Sequence, residues 1–233
     1  MKSNKNKVII IFGPPGSGKG TQAGLLSEKL SLYYLETSKV GEERIRTAKK
    51  GDYIETAGKK YYFSDEEKLW KEGKLWSPPF VVFLMEEKIR KIIAEEKGLL
   101  LAGSPRTIYE GQKLIPLLFE LFGKKNIKVI KLLLSPEQSI WRNSHRRICE
   151  LMRHPIVYKP ETVNLKTCPL DGSKLVRREG LDDPETIKVR LKEYKERTFP
   201  LIELFKKSGL KVIEVNGEQS VAEVFEDILK AIK

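Results

Sequence analysis

The chain has 233 residues, 40% hydrophobic and 33% charged, enough for one sizeable α/β core with insertions. No apolar run approaches the roughly 20 residues of a membrane-spanning helix, and the basic start, residues 1–7, is followed by too short an apolar stretch before Gly13 to make a secretory signal. Two cysteines exclude a disulfide framework, so a reducing, cytoplasmic location is expected, and 44 Lys and Arg against 32 Asp and Glu suit polyanionic ligands of any kind.

Residues 7–12 are a β-branched run that stops at Gly13-Pro14-Pro15-Gly16, the pattern of a buried parallel strand entering a tight turn. A helix from about Lys19 continues through Ala23, Leu26 and Leu30. A second strand over 33–37 leads into a long, mostly polar segment with helical patches and a turn at 73–79. The spacing then predicts a helix over 80–97, with Val81, Leu84, Met85, Ile89 and Ile92 on one face. Strand 99–102 ends in Gly103-Ser104-Pro105-Arg106 and is followed by helix 107–122. Strand 129–134 and helix 137–147 repeat the unit. Residues 149–179 have no sustained periodicity and read as an insertion, after which helix 184–207, strand 211–215 and helix 221–232 resume the alternation. Alternating strands and helices imply a parallel sheet covered on both faces, with ligands at the carboxyl ends of its strands.

Residues 13–21 stand between a strand and a helix, where successive backbone N–H groups and the helix N-terminus cradle phosphates. The glycines let the backbone approach the anion, Lys19 supplies a charge at the β- and γ-phosphates, and Thr21 brings a hydroxyl to Mg²⁺.

Gly-Pro-Pro-Gly-Ser-Gly-Lys-Gly-Thr-Gln-Ala, residues 13–23, resembles the phosphate loop of the adenylate kinase family. Gly-Ser-Pro-Arg-Thr at 103–107 is similar to the motif ending the family's third strand, Arg-x-x-x-Arg-Arg-Ile-Cys at 142–149 to the start of its lid, and Asp182 to Leu191 to the lid's end. These matches, in order over nearly the whole chain, imply a P-loop kinase fold: a five-stranded parallel sheet with helices on both faces. The implied division is a core of 1–36, 97–148 and 181–233, an acceptor-binding segment 37–96 and a lid 149–180.

The resemblance implies phosphoryl transfer from Mg-ATP to a nucleoside monophosphate, AMP by default, in a monomer that uses neither membrane nor nucleic acid. It assigns ATP to Gly16, Ser17, Gly18, Lys19, Gly20, Thr21, Arg142, Arg146 and Gln219. The acceptor falls to Thr37, Gly103, Arg106, Glu110, Arg178 and Arg190, with Lys19, Arg106, Arg146, Arg178 and Arg190 carrying the catalytic charge. Arg177 competes with Arg178 for its place. Cations so gathered repel, so the empty enzyme is expected open, with nucleotide driving closure.

Four places depart from the family pattern. Ala102 stands where an aspartate holds Mg²⁺ through water. Thr37-Ser38-Lys39 replaces Thr-Gly-Asp, and the following arginine is matched by Arg44 or Arg46 only with an insertion. Glu110 replaces an adenine-reading glutamine, and a carboxylate suits guanine or cytosine better, unless Gln112 supplies the amide. In the lid, a Cys-x2-Cys and Cys-x2-Asp zinc pattern survives as Cys149, Met152, Cys168 and Asp171. Either His154 replaces the thioether in a structural zinc site or packing alone holds the lid. Two other readings stay open: a P-loop phosphotransferase on another small substrate, and a nucleotide-binding protein with little or no kinase activity that binds RNA.

Overall fold

A computed structural model describes residues 6–178 and 180–233; residues 1–5 of the basic start and Glu179 of the expected lid lie outside it. The first half runs β1 (Val8–Phe12), α1 (Lys19–Leu30), β2 (Leu32–Glu36), α2 (Thr37–Thr47), the pair β3 (Tyr53–Thr56) and β4 (Lys59–Tyr62), α3 (Phe63–Lys71) and α4 (Pro78–Ala94). There follow β5 (Gly98–Ala102), α5 (Ile108–Phe122), β6 (Ile127–Leu133), α6 (Pro136–His145) and three short strands, β7 (Arg147–Cys149), β8 (Pro155–Ile156) and β9 (Leu175–Val176). The chain closes with α7 (Pro184–Glu193), α8 (Leu201–Lys207), β10 (Val212–Asn216) and α9 (Val221–Ala231).

Five parallel strands make the main sheet in the order β10-β6-β1-β5-β2. Every residue of β1 and β5 is buried, which is why both read as continuous apolar runs instead of alternating. On one face Ala23 and Leu26 of α1 and Val224 and Ile228 of α9 pack on Ile9, Ile11, Leu100 and Ile130. On the other, Phe80, Met85 and Ile89 of α4, Leu114 and Leu118 of α5 and Phe205 of α8 cover Val8, Ile10, Leu99 and Val129. Each such Val, Leu, Ile, Met or Phe side chain stabilises the fold by about 1.5–3 kcal/mol on burial, so the carboxyl edge of the sheet is a stiff platform.

The structure departs from the sequence expectation in three stretches. The polar segment after β2 contains an antiparallel β3–β4 hairpin, turned at Ala57 and Gly58 with φ of 50° and 71°; only its Ala-Gly turn hinted at it. The expected helix 184–207 is interrupted by a π-helical turn, Tyr194–Thr198, and by Pro200, which has no N–H to continue the ladder. The aperiodic insertion is a three-stranded sheet, order β8-β7-β9, whose strands of two or three residues are too short to show a period.

Candidate phosphoryl-transfer site

Where β1 ends, the chain turns over the sheet edge into α1, and the turn is held from outside by α6. Ser139 Oγ donates to the Pro15 carbonyl at 2.6 Å, and a Cβ on Gly16, at φ 78°, would meet Asn143 Nδ2 at 2.6 Å. Glycine at 16 is therefore required twice, by conformation and by space. Lys19 folds back to donate to the carbonyls of Gly13 and Pro14 at 2.9 and 2.8 Å. Enclosure in the cleft pushes the Lys19 pKa down to about 7, helped by repulsion from Arg106, Arg190 and Arg178 and opposed by Glu36. An anion lying among these groups removes that repulsion.

The loop opens into a cleft of about 790 Å³. Gly16, Ser17, Gly18, Lys19, Gly20 and Thr21 line it, as do Gly103, Arg106, Arg142, Arg146, Arg178, Arg190 and Gln219. Phosphate loop and Arg106 thus face one another across shared space. Gly103, at φ 86°, lets the chain turn so that the Arg106 guanidinium folds beneath it; a Cβ there would lie 2.4 Å from that group. Arg142 donates to the Gly217 carbonyl at 2.8 Å, beside Gln219.

The lid arginines are gathered by one buried carboxylate, Asp182, 2% exposed. Arg178 pairs with it through two nitrogens, at 2.7 and 3.2 Å. Arg146 reaches it likewise, and also donates to Asn143 Oδ1 at 2.6 Å. Arg190 lies 3.9 Å from Asp182 and donates to the Leu181 carbonyl. Enclosure, then Arg178 and Arg106, push the Arg190 pKa down to about 9, so it stays charged at neutral pH. Of the two neighbouring candidates, Arg178 and not Arg177 lines the cleft. The cations therefore stand together, compensated by Asp182.

The acceptor end holds the corrections. Glu110 is absent from the cleft wall. Its carboxylate accepts from Ser104 Oγ (3.3 Å), the Arg106 N–H (2.8 Å) and Thr107 Oγ (3.0 Å). Only 1% exposed and engaged in its own turn, this carboxylate does not face the cleft. β2 ends one residue early, so Thr37 opens α2 and is buried outside the wall, its hydroxyl without a partner among the described residues. Neither Arg44 nor Arg46 faces the cleft; Arg44 lies 4.0 Å from Glu87 on the outside. Their helix instead turns Glu42 inward, where Arg153 of the insertion meets it at 3.0 Å.

In the insertion, one donor atom each from Cys149, His154, Cys168 and Asp171 lies within 4.8 Å of all the others. Met152 is 60% exposed. His154 Nδ1 lies 3.3 Å from Asp171 and 3.7 Å from Cys168 Sγ. His154 thus occupies the place that the thioether vacates.

A family model described as adenylate kinase matches residues 11–210. The curated adenylate kinase of Methanothrix thermoacetophila is 32% identical over 225 residues, covering 96% of this chain and 97% of its own. That of Caldicellulosiruptor bescii is 32% identical over 226 residues, 96% and 98% of the two chains, and that of Methanocella arvoryzae 33% over 229 residues, 97% and 98%. The chain belongs to the adenylate kinase family. As a member of the adenylate kinase family it is an enzyme, a nucleoside monophosphate kinase with the P-loop kinase fold. Among the described residues no helix is long and apolar enough to cross a membrane.

Against the adenylate kinase pattern, sequence reading missed Ser139, Asn143 and Glu42, and took Asp182 only as part of a boundary motif. Asn143 had a signal, since it adjoins Arg142 at the start of the lid motif. Glu42 and Ser139 had none, because neither residue type nor spacing sets them apart from a solvated helix face.

Proposed function

We propose that this adenylate kinase homologue transfers the γ-phosphoryl group of ATP to a nucleoside monophosphate within the cleft between residues 13–21 and Arg106. The observation that carries the reading is the convergence of Lys19, Arg106, Arg178 and Arg190 on one space bounded by a phosphate loop. ATP lies along the loop, its base toward Arg142 and Gln219, and the acceptor phosphate sits at Arg106 and Arg190. An acceptor phosphate oxygen attacks the γ-phosphorus, a Pγ–O bond forms, and the bond from Pγ to the bridging oxygen breaks. ADP leaves with that electron pair, and the acceptor becomes a diphosphate. The protein's part is positioning and charge stabilisation, which the arginines supply without moving a proton. Mg²⁺, when bound with ATP, neutralises the β- and γ-oxygens, and Thr21 on the cleft wall suits it as a hydroxyl ligand.

AMP is the acceptor we assign, on the family's grounds. The core 1–36, 97–148 and 181–233 carries two parts that close on it: the acceptor segment 37–96 and the lid 149–180. A lid zinc ion held by Cys149, His154, Cys168 and Asp171 is supported by a two-sulfur, one-nitrogen, one-oxygen donor set of the kind closed structural zinc sites use. Metal analysis of protein purified without chelator tests it: one zinc per chain is expected, and none after His154→Ala. An assay of ADP formation from ATP with AMP, GMP, CMP or UMP tests the main reading. Activity with at least one acceptor, lost in Lys19→Met, is the expected result, and no activity with any of them sinks it.

A further inference from the structure

Phosphate-loop enzymes pair the loop's hydroxyl with a carboxylate at a strand end, the two together orienting the metal that accompanies the nucleotide. Thr21 provides the hydroxyl. The strand end beside the loop, Ala102 on β5, provides no carboxylate. β2 lies next to β5 in parallel register, and the residue paired with Ala102 is Glu36. Adjacent strands are about 4.8 Å apart, so the sheet carries a carboxylate at the same level of its carboxyl edge, moved over by one strand. Glu36 lines the cleft together with Lys19 and Thr21, and its charge acts on both Lys19 and Arg106.

Its local bonds hold it there. Tyr34, two residues back and on the same face of β2, donates to Glu36 Oε2 at 2.9 Å, and Ser38 donates to Oε1 at 2.8 Å. The Tyr34 hydroxyl also lies 3.5 Å from where a Cβ on Gly20 would stand. Tyrosine and carboxylate are thereby set against the phosphate loop next to Thr21. A carboxylate offers about four lone-pair sites, and these two bonds leave room for more.

The other acids of the cleft wall are engaged elsewhere. Glu42 pairs with Arg153, and Glu193 accepts from the Leu75 N–H and from Arg197. Asp182, buried outside the wall, pairs with Arg146 and Arg178. The one cation near Glu36 within ion-pair range among the described residues, Lys39, is 3.6 Å away with its side chain 59% exposed, a pair too solvated to fix the carboxylate.

We propose that Glu36 is the positioning carboxylate for nucleotide-bound Mg²⁺, accepting hydrogen bonds from the metal's water shell in the place left empty at Ala102. This rests on the phosphotransfer reading above. Mg²⁺ keeps several waters when bound through nucleotide phosphates, and an acceptor that orients them is worth about 10- to 100-fold in metal affinity.

The test is calorimetric titration of ATP into the full chain, with Mg²⁺ and with EDTA. In the unsubstituted protein Mg²⁺ is expected to tighten ATP binding. In Glu36→Gln that tightening should fall by at least about tenfold, while affinity in EDTA stays the same or rises because a negative charge has gone. Glu36→Gln/Ala102→Asp should recover the tightening by returning a carboxylate one strand away. If Glu36→Gln does not fold, Glu36→Ser carries the same comparison. A Mg²⁺ effect unchanged in the single variant, or no recovery in the double one, overturns the assignment of Glu36. If the unsubstituted protein binds no ATP under either condition, the phosphotransfer reading itself falls.

Discussion

Arg153, between β7 and β8, donates to Glu42 of α2 at 3.0 Å, and both residues line the cleft. The contact ties the short sheet after α6 to α2, between residues 111 positions apart in the chain. Burial pushes the Glu42 carboxyl up, and Arg153 opposes that.

The Arg153 side chain is 45% exposed, so its ion pair is worth no more than about 0.2–1 kcal/mol. Arg153→Ala should therefore weaken the docking of the 149–180 insertion on α2 by at most about fivefold, seen as lower energy transfer between dyes on the two. An unchanged signal with and without nucleotide would show that the contact does not contribute to that docking.

Burial and the neighbouring arginines push the Lys19 pKa down to about 7, below its ordinary 10.5. The folded protein thus binds fewer protons there than the unfolded chain between pH 7 and 10.5. Its contribution to stability accordingly rises with pH across that window and is lost below it. Bound phosphate favours the charged amine, so ATP binding at pH 8 should take up a proton, and at pH 5.5 it should not. Calorimetry in buffers of different ionisation enthalpy measures that uptake, and an equal uptake at both pH values would contradict it.

Asp182→Asn removes the charge that holds Arg146 and Arg178 together. Breaking a buried pair from one side costs about 3–5 kcal/mol; since both arginines keep about a fifth of their surface in water, about 2–3 kcal/mol is the expected loss. Thermal unfolding would show it as a fall in Tm. Turnover should drop as well, because the lid arginines lose their common anchor.

Glu110 accepts from Ser104, Arg106 and Thr107, and burial pushes its carboxyl up. Glu110→Gln keeps one acceptor oxygen and should cost about 1 kcal/mol of stability. Relative rates on AMP, GMP, CMP and UMP should not change order. A switch of preferred base in this variant would restore the base-reading role to residue 110.

Much of the site is legible along the chain because its parts are contiguous. The loop 13–21, the turn at 103–107 and Arg142 with Arg146 each lie within one stretch, where residue type and spacing state the chemistry. Whether Arg44 or Arg46 takes part was not legible, because it depends on which face of α2 turns inward, and packing against the rest of the molecule decides that. Glu110 misled because a helix N-terminus can claim a carboxylate that its spacing offers to a ligand.

By itself the sequence determined the parallel sheet and the phosphate cradle, since strands buried on both faces and a glycine-rich turn leave their mark in consecutive residues. Only the tertiary structure decided that Asp182 gathers the lid arginines, that Arg153 meets Glu42, and that Glu36 stands level with Ala102. Those relations join residues far apart in the chain through strand register and packing between segments. Electrostatic partnership depends on distance in space, which local periodicity does not encode.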